Sequence, residues 1–323
     1  MKCPVRLLPL VAIASALGCL SVSAQDVYPS KPVKIVIPFA PGGAADTFGR
    51  LIGNKLNGVW SQPVIVENKT GAGGQVATQN VVNAPADGYT LLIVTVGHAV
   101  NPWLYPNLPY DTEKDLKPVA MLAQAPSVLA INPAVPAKSV AELIALAKAK
   151  PNALNYGSAG NASTSHIAGA MLASLGGVQM THVPYRGSAP AMTDLIGGQI
   201  QFIIDPIVSS AQHVKAGKLR ALAISTASRS PLAPELPPIG DMLQGYDFSS
   251  WFMLLAPAKT PDAIVQKIHD DVERALASSD VKERYTAMGA ETGKGTSAEV
   301  ARFLSSEIKR YARVVKEAGM KAE

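Results

Sequence analysis

Short apolar runs alternate with longer amphipathic stretches in the first third of this chain. The first run, residues 35–37, is stopped by Pro38 and by Pro-Gly-Gly at residues 41–43, directly before a helix-like segment. Similar runs follow at residues 64–67 and 89–96. Continuous apolar runs are typical of strands covered on both faces, and their alternation with helical segments predicts a parallel sheet flanked by helices.

The alternation restarts after a proline-rich stretch, residues 101–118, and predicts a second α/β unit. A strand at 127–132 and a helix at 140–150 open this unit. Further strands are expected at residues 154–156, 180–185, 200–205 and 219–225.

The chain becomes helical after Pro257. These last helices follow a strand expected at residues 248–256 and have no strands of their own to cover, so we expect them to pack on the first unit. The chain then crosses between the units twice, near 123–127 and 247–251. This arrangement predicts an α/β fold of two lobes joined by a hinge. The lobe bounds are 25–124 with 250–323 for the first and 125–249 for the second.

Residues 1–24 have the pattern of a secretory signal. Lys2 and Arg6 precede an apolar core at 7–20, and small residues then lead to Ala24. The core is shorter than the roughly 20 residues that a membrane span needs. We therefore predict cleavage after Ala24 and a periplasmic location.

Both cysteines, Cys3 and Cys19, lie in this leader. The mature chain is thus expected to have no thiol, which excludes disulfides, thiolate zinc sites and cysteine nucleophiles. Lipid anchoring at Cys19 is disfavoured because Ala16 stands where a lipoprotein signal has leucine.

Charge gives no sign of a nucleic-acid partner. Without Lys2 and Arg6, 27 of the 29 basic residues remain against 24 acidic ones, a net charge of +3. These charges are scattered along the chain, whereas a nucleic-acid surface needs a basic cluster.

Motifs for cofactors, metals and covalent catalysis fail in their details. GAETGK at residues 289–294 has one residue too few for a P-loop, and the glycines at 71–74 miss the third position of a dinucleotide fingerprint. Ser158 lacks the spacing of a nucleophile elbow, and no histidine forms a metal-binding pair with a carboxylate. We therefore predict no cofactor, no metal and no catalytic residue, while a triad from distant residues stays open.

Two strand–glycine–helix junctions form the candidate site. The first is the Pro-Gly-Gly loop at 41–43, and the second is residues 156–166, where glycines are followed by several hydroxyl side chains. Helix N-termini at the carboxyl ends of parallel strands bind anions. The alternative for the second loop is a well-capped helix after a flexible turn.

Single residues near these loops have two interpretations each. Asp46 is expected to cap or stabilise the first helix more than to contact an anion. Asp205 closes a strand and serves either a ligand donor group or a turn. Arg186 is either a cationic rim or an exposed salt-bridge partner. Trp103 and Trp251 either stack on an aromatic ligand or, as we expect, pack in the core.

Several ordered segments resemble the Bug or TctC-type extracytoplasmic solute-binding proteins of tripartite tricarboxylate transporters. The resemblance covers essentially the whole predicted mature chain. It is carried by YPSKPVKIVIPFAPGGAADTFGR, VENKTGAGG, HAVNPWLY, YGSAGNASTSHIAG and VPYRGSAPAMTDLIGGQI.

The resemblance implies two α/β lobes of the periplasmic-binding-protein type (type II-like), with parallel-rich sheets, closing over a small organic mono- or dicarboxylate. It also implies that backbone groups, hydroxyls and ordered waters hold the carboxylate. The ligand-binding residues that it nominates are Ala40, Pro41, Gly42, Gly43, Ala44 and Asp46 in the first lobe, and Ser158, Ala159, Ser163, Thr164 and His166 in the second, with His98 and Asp205 as further contacts.

The chain departs from the family pattern at three places. Ala162-Ser163 replaces a common Gly-Thr, Ala170 stands where Glu is usual, and Pro206 follows Asp205 where Asn is frequent. We therefore expect the distal half of the ligand to be recognised differently from the dicarboxylates better known in the family.

These features together predict a non-catalytic, exported, monomeric carrier that delivers a carboxylate to membrane transporter subunits or to a sensor. The competing hypothesis is a periplasmic enzyme that uses the same cleft.

Overall fold

The computed structural model describes residues 28–321, so the predicted leader and both cysteines lie outside the described residues. The strands are β1 (Val33–Ile37), β2 (Val64–Asn68), β3 (Thr90–Thr95), β4 (Leu116–Ile131), β5 (Asn155–Ser158), β6 (Thr181–Pro184), β7 (Phe202–Pro206), β8 (Arg220–Ile224), β9 (Ser249–Pro257) and β10 (Glu291–Thr292). The helices are α1 (Ala44–Asn57), α2 (Gln75–Val82), α3 (Val96–Leu104), α4 (Val140–Ala149), α5 (Thr164–Gly176), α6 (Ser188–Ile196), α7 (Ile207–Lys215), α8 (Asp262–Ala277), α9 (Ser279–Ala287) and α10 (Ser297–Glu317).

The strands of the described chain join into one mixed sheet in the order β2-β1-β3-β9-β4-β7-β5-β6, with β8 and β10 also paired with β4. One parallel block is β2-β1-β3, and the other is β7-β5-β6. Antiparallel β9 and β4 lie between the two blocks. The predicted α/β fold class is confirmed. We call the β1–β3, β9 and β10 side the first half, and the β5–β8 side the second half.

Strand β4 belongs to both halves. It pairs with β9 from Leu116 to Pro126 and with β7 from Ser127 to Ile131. The separate strand predicted at 127–132 is therefore the second part of a longer one. Pro118 does not end β4 because it lies at a register shift, where a missing N–H is tolerated.

Three buried serines mark the point where β4 changes partners. The Ser225 hydroxyl accepts a hydrogen bond from the Ser127 N–H at 2.8 Å and donates to the Phe248 carbonyl at 2.7 Å. The Ser127 and Ser250 hydroxyls lie 2.8 Å apart. These bonds connect β4, β8 and β9, so both crossings of the chain are tied together.

Aromatic and aliphatic side chains fill both faces of the first half. On one face, the Phe48 ring of α1 lies 4.9 Å from Phe252 and 4.8 Å from Tyr285. On the other, Trp251 packs against α10, as predicted for a core residue. The core prediction for Trp103 is wrong: this side chain is 47% exposed, and its indole N–H donates to the Ile308 carbonyl on α10.

The final helices pack on the first half, with α8 against α1 and α10 against α3. Between residues 28 and 321, no helix has the length and apolarity that a membrane crossing requires. The division into two moving lobes with the bounds given above stays a prediction.

Candidate ligand-binding cleft

The Pro-Gly-Gly loop ends in an open helix N-terminus. Gly43 is the N-cap of α1 in an extended conformation, and no side chain caps the first turn. The first amides of a helix lack partners within it, so those of α1 remain available for an anion. Gly42 has a φ of +91°, a left-handed conformation that favours glycine.

Asp46 holds this loop in shape. Its carboxylate accepts hydrogen bonds from the Gly42 N–H at 3.0 Å, Arg50 Nε at 3.0 Å and Asn68 Nδ2 at 2.9 Å. Burial raises the pKa of Asp46, but these donors outweigh it and leave the pKa below its usual value. The carboxylate is thus ionised and already engaged within its own half.

The second loop satisfies its amides with its own side chains. Ser163, the N-cap of α5, accepts from the His166 N–H at 3.3 Å. Ser165 Oγ accepts from the Ala159 N–H at 2.9 Å, and His166 Nδ1 accepts from the Ala162 N–H at 3.1 Å. The loop therefore presents hydroxyl groups more than bare amides.

A buried aromatic stack supports this loop from behind. His182 lies with its ring centroid 3.9 Å from His166 and 5.0 Å from Tyr156, and its Nε2 is 2.6 Å from Ser158 Oγ. Burial lowers the pKa of His182 to about 4, so its ring is neutral at pH 7. Ser158 is 0% exposed. Ser158 and His166 therefore support the loop from its buried side.

Three more helices begin beside these two. Helix α3 starts after Thr95, α6 starts at Ser188, and α7 starts after Pro206. Sequence reasoning missed these N-termini as parts of the site. The Gly-Ser pair at residues 187–188, where α6 begins, repeats the strand–glycine–helix pattern and was the available signal. The start of α3, by contrast, is hidden in a continuous apolar run.

The helix N-termini surround a cavity of about 340 Å³ between the two halves. From the first half it is lined by Phe39, Gly43, Ala44, Ala45, Asp46, Thr95 and Phe252, and from the second by Ala159, Ser163, Thr164, Ser188, Asp205 and Pro206. Seven of the thirteen predicted residues are in this lining. Their contact with a ligand stays a prediction.

The other six predicted residues are Ala40, Pro41, Gly42, His98, Ser158 and His166, which lie outside the lining. His98 is buried within α3 and stacks on Tyr110, with 6.3 Å between ring centroids. Ala40 and Gly42 contact the opposite half instead: the Ala40 N–H donates to the Arg186 carbonyl at 2.9 Å, and Gly42 faces Ala189.

The halves are closed on each other. A Cβ on Gly97 would overlap the Ala162 carbonyl oxygen, and one on Gly73 would lie 2.7 Å from the Asn161 carbonyl oxygen. Only about 20 Å³ of the cavity is open to the centre of a water molecule. This volume is close to what a single water needs. In this arrangement of the halves, the cavity has no room for an organic acid.

Asp205 is the second carboxylate in the cavity wall. It is 1% exposed, and its Oδ2 has no hydrogen-bond partner among the described residues. Burial raises the pKa of Asp205 to about 6, against an opposing effect of the hydroxyls of Ser188, Ser209 and Ser165. Within residues 28–321, no group of three His, Cys, Asp or Glu is arranged to hold a metal ion.

A two-lobed α/β solute-binding protein is the class that this fold and cleft define. The family of tripartite tricarboxylate transporter receptors (TctC) matches residues 49–320, and the chain belongs to that family.

Individual relatives agree over nearly the full length. Protein BugT of Bordetella pertussis is 35% identical, with 98% of each chain covered. The structure of R. palustris Rpa4515 with adipate is 36% identical at a TM-score of 0.88 and covers 91% of this chain and 99% of its own. MatC from Rhodopseudomonas palustris with bound malate is 35% identical at a TM-score of 0.86, and the match covers 89% of this chain and 100% of MatC.

Proposed function

We propose that this protein is an exported, monomeric carrier that captures a small organic carboxylate between its two halves and delivers it to a tripartite tricarboxylate transporter. The observation that carries the proposal is the cavity between the halves, into which the uncapped N-terminus of α1 opens. Solved relatives with adipate and with malate bound support an organic carboxylate as the ligand class.

The cavity has the groups that a carboxylate needs, without a cation in its lining. Each hydrogen bond to a charged group contributes roughly 1.5–3 kcal/mol, and a helix N-terminus adds roughly 0.3–2 kcal/mol. The amides of α1 and the hydroxyls of Ser163, Thr164 and Ser188 are the groups in the lining that supply such bonds. These bonds offset the cost of removing the carboxylate from water.

A periplasmic enzyme is the competing function, and one observation bears on it. Ser158 and His182 are in hydrogen-bond contact, as a nucleophile and its base are. Ser158 is fully buried, however, and does not line the cavity. A substrate in the cleft does not reach its hydroxyl, so the carrier is the better-supported function.

Mass spectrometry of the small molecules released on denaturing the purified protein tests this proposal. We expect an organic acid that rebinds to ligand-free protein in calorimetry, within a panel that includes adipate, malate and succinate. The acid is expected to be recovered unchanged after prolonged incubation. Chemical conversion of the acid contradicts the carrier, and failure of every carboxylate to bind contradicts the ligand class.

A further inference from the structure

Asp205 lies where the ligand's charge is expected. It stands near the end of β7, beside Val128 of β4, and its side chain is buried in the cavity wall. Gly43 and Ala44 at the N-terminus of α1 line the same cavity as Asp205, so an anion bound to the amides of α1 lies near this carboxyl group. The unpartnered Oδ2 is a buried polar atom that has to be satisfied once the cleft is occupied.

Two ionised carboxylates do not share so small a dry site, because each raises the pKa of the other. Where two carboxyl groups lie this close in a protein, one of them keeps its proton. The shared proton then forms a short, charge-assisted hydrogen bond between them.

We propose that Asp205 binds the ligand's carboxylate as a neutral acid that donates its proton to it, so that capture of the ligand takes up one proton. The proposal rests on the carboxylate-carrier function above and adds a proton to its binding equilibrium. The proton comes from solvent, and no covalent bond other than O–H is made or broken.

No charged side chain in the described part of the chain offsets the charge of Asp205. Its pKa is shifted only by burial and by the three serine hydroxyls. Asp46, in the same wall, is engaged with Arg50 and Asn68. The other titratable groups on the elements packed around β7 are Lys117 at the start of β4, bonded to Asp262, Tyr156 on β5, His166 on α5, Asp194 on α6, bonded to the Tyr185 hydroxyl, and His213 and Lys215 on α7.

The direction of the pH dependence follows from linkage. Without ligand, Asp205 titrates with a pKa of about 6. A neighbouring anion raises this value in the complex, so the complex binds the proton more tightly than the empty protein does. Affinity is then full below about pH 6 and falls by up to tenfold for each pH unit above it, until the pKa of the complex is passed.

The other way to satisfy Oδ2 is an ionised Asp205 that accepts from a hydroxyl or ammonium group of the ligand. In that case acidification through pH 6 removes the acceptor charge and weakens binding. The two arrangements therefore predict opposite slopes of affinity against pH.

Calorimetry between pH 6.0 and 8.5 distinguishes the protonated from the ionised arrangement of Asp205. The probe is adipate, or the tightest panel acid without a hydroxyl or amino group, because such an acid cannot donate to Oδ2. We expect the Kd to rise about tenfold or more across this range. At pH 7.5, titrations in buffers of different ionisation enthalpy should show uptake of close to one proton per ligand.

Two variants complete the test. Asp205→Asn has a permanent N–H donor, so it should bind with a Kd that does not vary with pH and is lower than that of the natural protein at pH 8.5. Asp270→Asn makes the same exchange on the exposed face of α8 and should keep the natural slope. Proton uptake by the unaltered protein tests the proposal even if Asp205→Asn does not fold.

A flat Kd with no proton uptake overturns the proton-coupled capture and leaves the carrier function intact. Affinity that increases with pH also overturns it and assigns Oδ2 to a donor on the ligand. Failure of every panel carboxylate at every pH overturns the carrier function itself.

Discussion

The two loops that face each other across the cleft treat the backbone amides at a helix N-terminus in opposite ways. The first, residues 38–43, ends in a glycine N-cap and leaves the amides of α1 uncapped, while Asp46 holds the loop from one side. The second, residues 158–163, ends in a serine N-cap, and its amides are bonded by Ser165 and His166.

This difference separates two tasks of the cleft. The first loop offers partial positive charge with no side chain in the way, which suits any carboxylate. The second loop has already used its acceptors on itself and offers hydroxyl donors at fixed positions, which suits discrimination between ligands. We therefore expect an added negative charge in the first loop to abolish binding and loss of a hydroxyl in the second to alter it by degrees.

The largest effect is expected from Gly43→Asp. The new carboxylate caps α1 and enters the cavity, so it competes with the ligand for the same amides and repels its charge. Affinity in calorimetry should fall by at least about 100-fold. The melting temperature should not fall, because aspartate is a favourable N-cap and the backbone of Gly43 is extended, with a φ of −86°.

Gly43→Ala is the matched control. Its Cβ would lie 3.5 Å from Ser188 Cβ and Oγ, an ordinary contact, so its affinity should stay within a few-fold of the natural one. Unchanged affinity in Gly43→Asp would show that the first loop is not the anion site.

A second, smaller loss is expected from Gly97→Ala, which acts on closure and not on the anion. The new methyl group overlaps the Ala162 carbonyl oxygen of the opposite half only when the halves are together. Because alanine favours a helix over glycine by up to about 1 kcal/mol, α3 should be as stable as before. We expect roughly tenfold weaker binding and, in small-angle scattering, a smaller compaction when ligand is added.

Gly197→Ala provides the comparison for this change. Gly197 ends α6 on the exposed surface with a φ of −74°, and its Cβ would lie 3.4 Å from the Thr193 carbonyl oxygen. It should bind and close like the natural protein. Full compaction in Gly97→Ala would argue that the closed contact between the halves is not required for capture.

The smallest effect is expected in the second loop, from Ser163→Ala. Loss of the N-cap should lower the free energy of unfolding by about 0.5–2 kcal/mol. A water molecule can replace the lost hydroxyl and keep part of its hydrogen bond to the carboxylate, so binding should weaken by less than the full bond, roughly three- to tenfold. Ser139→Ala removes the equivalent N-cap of α4, which is outside the cavity lining, and should cost the same stability without any change in affinity. Equal affinity in the two variants would show that Ser163 is not part of the binding surface.

Local patterns were sufficient for the first loop. An apolar run, two prolines and two glycines within ten residues determine where β1 stops and α1 starts, so the open N-terminus was predictable from the sequence. The family resemblance similarly pointed to Ser163 and Thr164 in the second loop.

Other parts of the site depend on contacts between distant residues. Ala40 and Gly42 belong to the predicted loop, yet with the halves closed they contact Arg186 and Ala189 of the opposite half. The change of partners within β4 also leaves no periodic signal, because an apolar strand has the same pattern whichever strand lies beside it. Thr95 was missed because the apolar run continues into α3.

The shared strand β4 also bears on how the chain folds. Residues 116–126 complete the sheet of the first half, and residues 127–131 do the same for the second. Disruption of either half therefore exposes the edge of a strand on which the other half depends, and the buried serines at the crossing lose their partners at the same time. The two halves are thus coupled in their unfolding, and cooperativity between them is a property of the same sixteen residues that connect them.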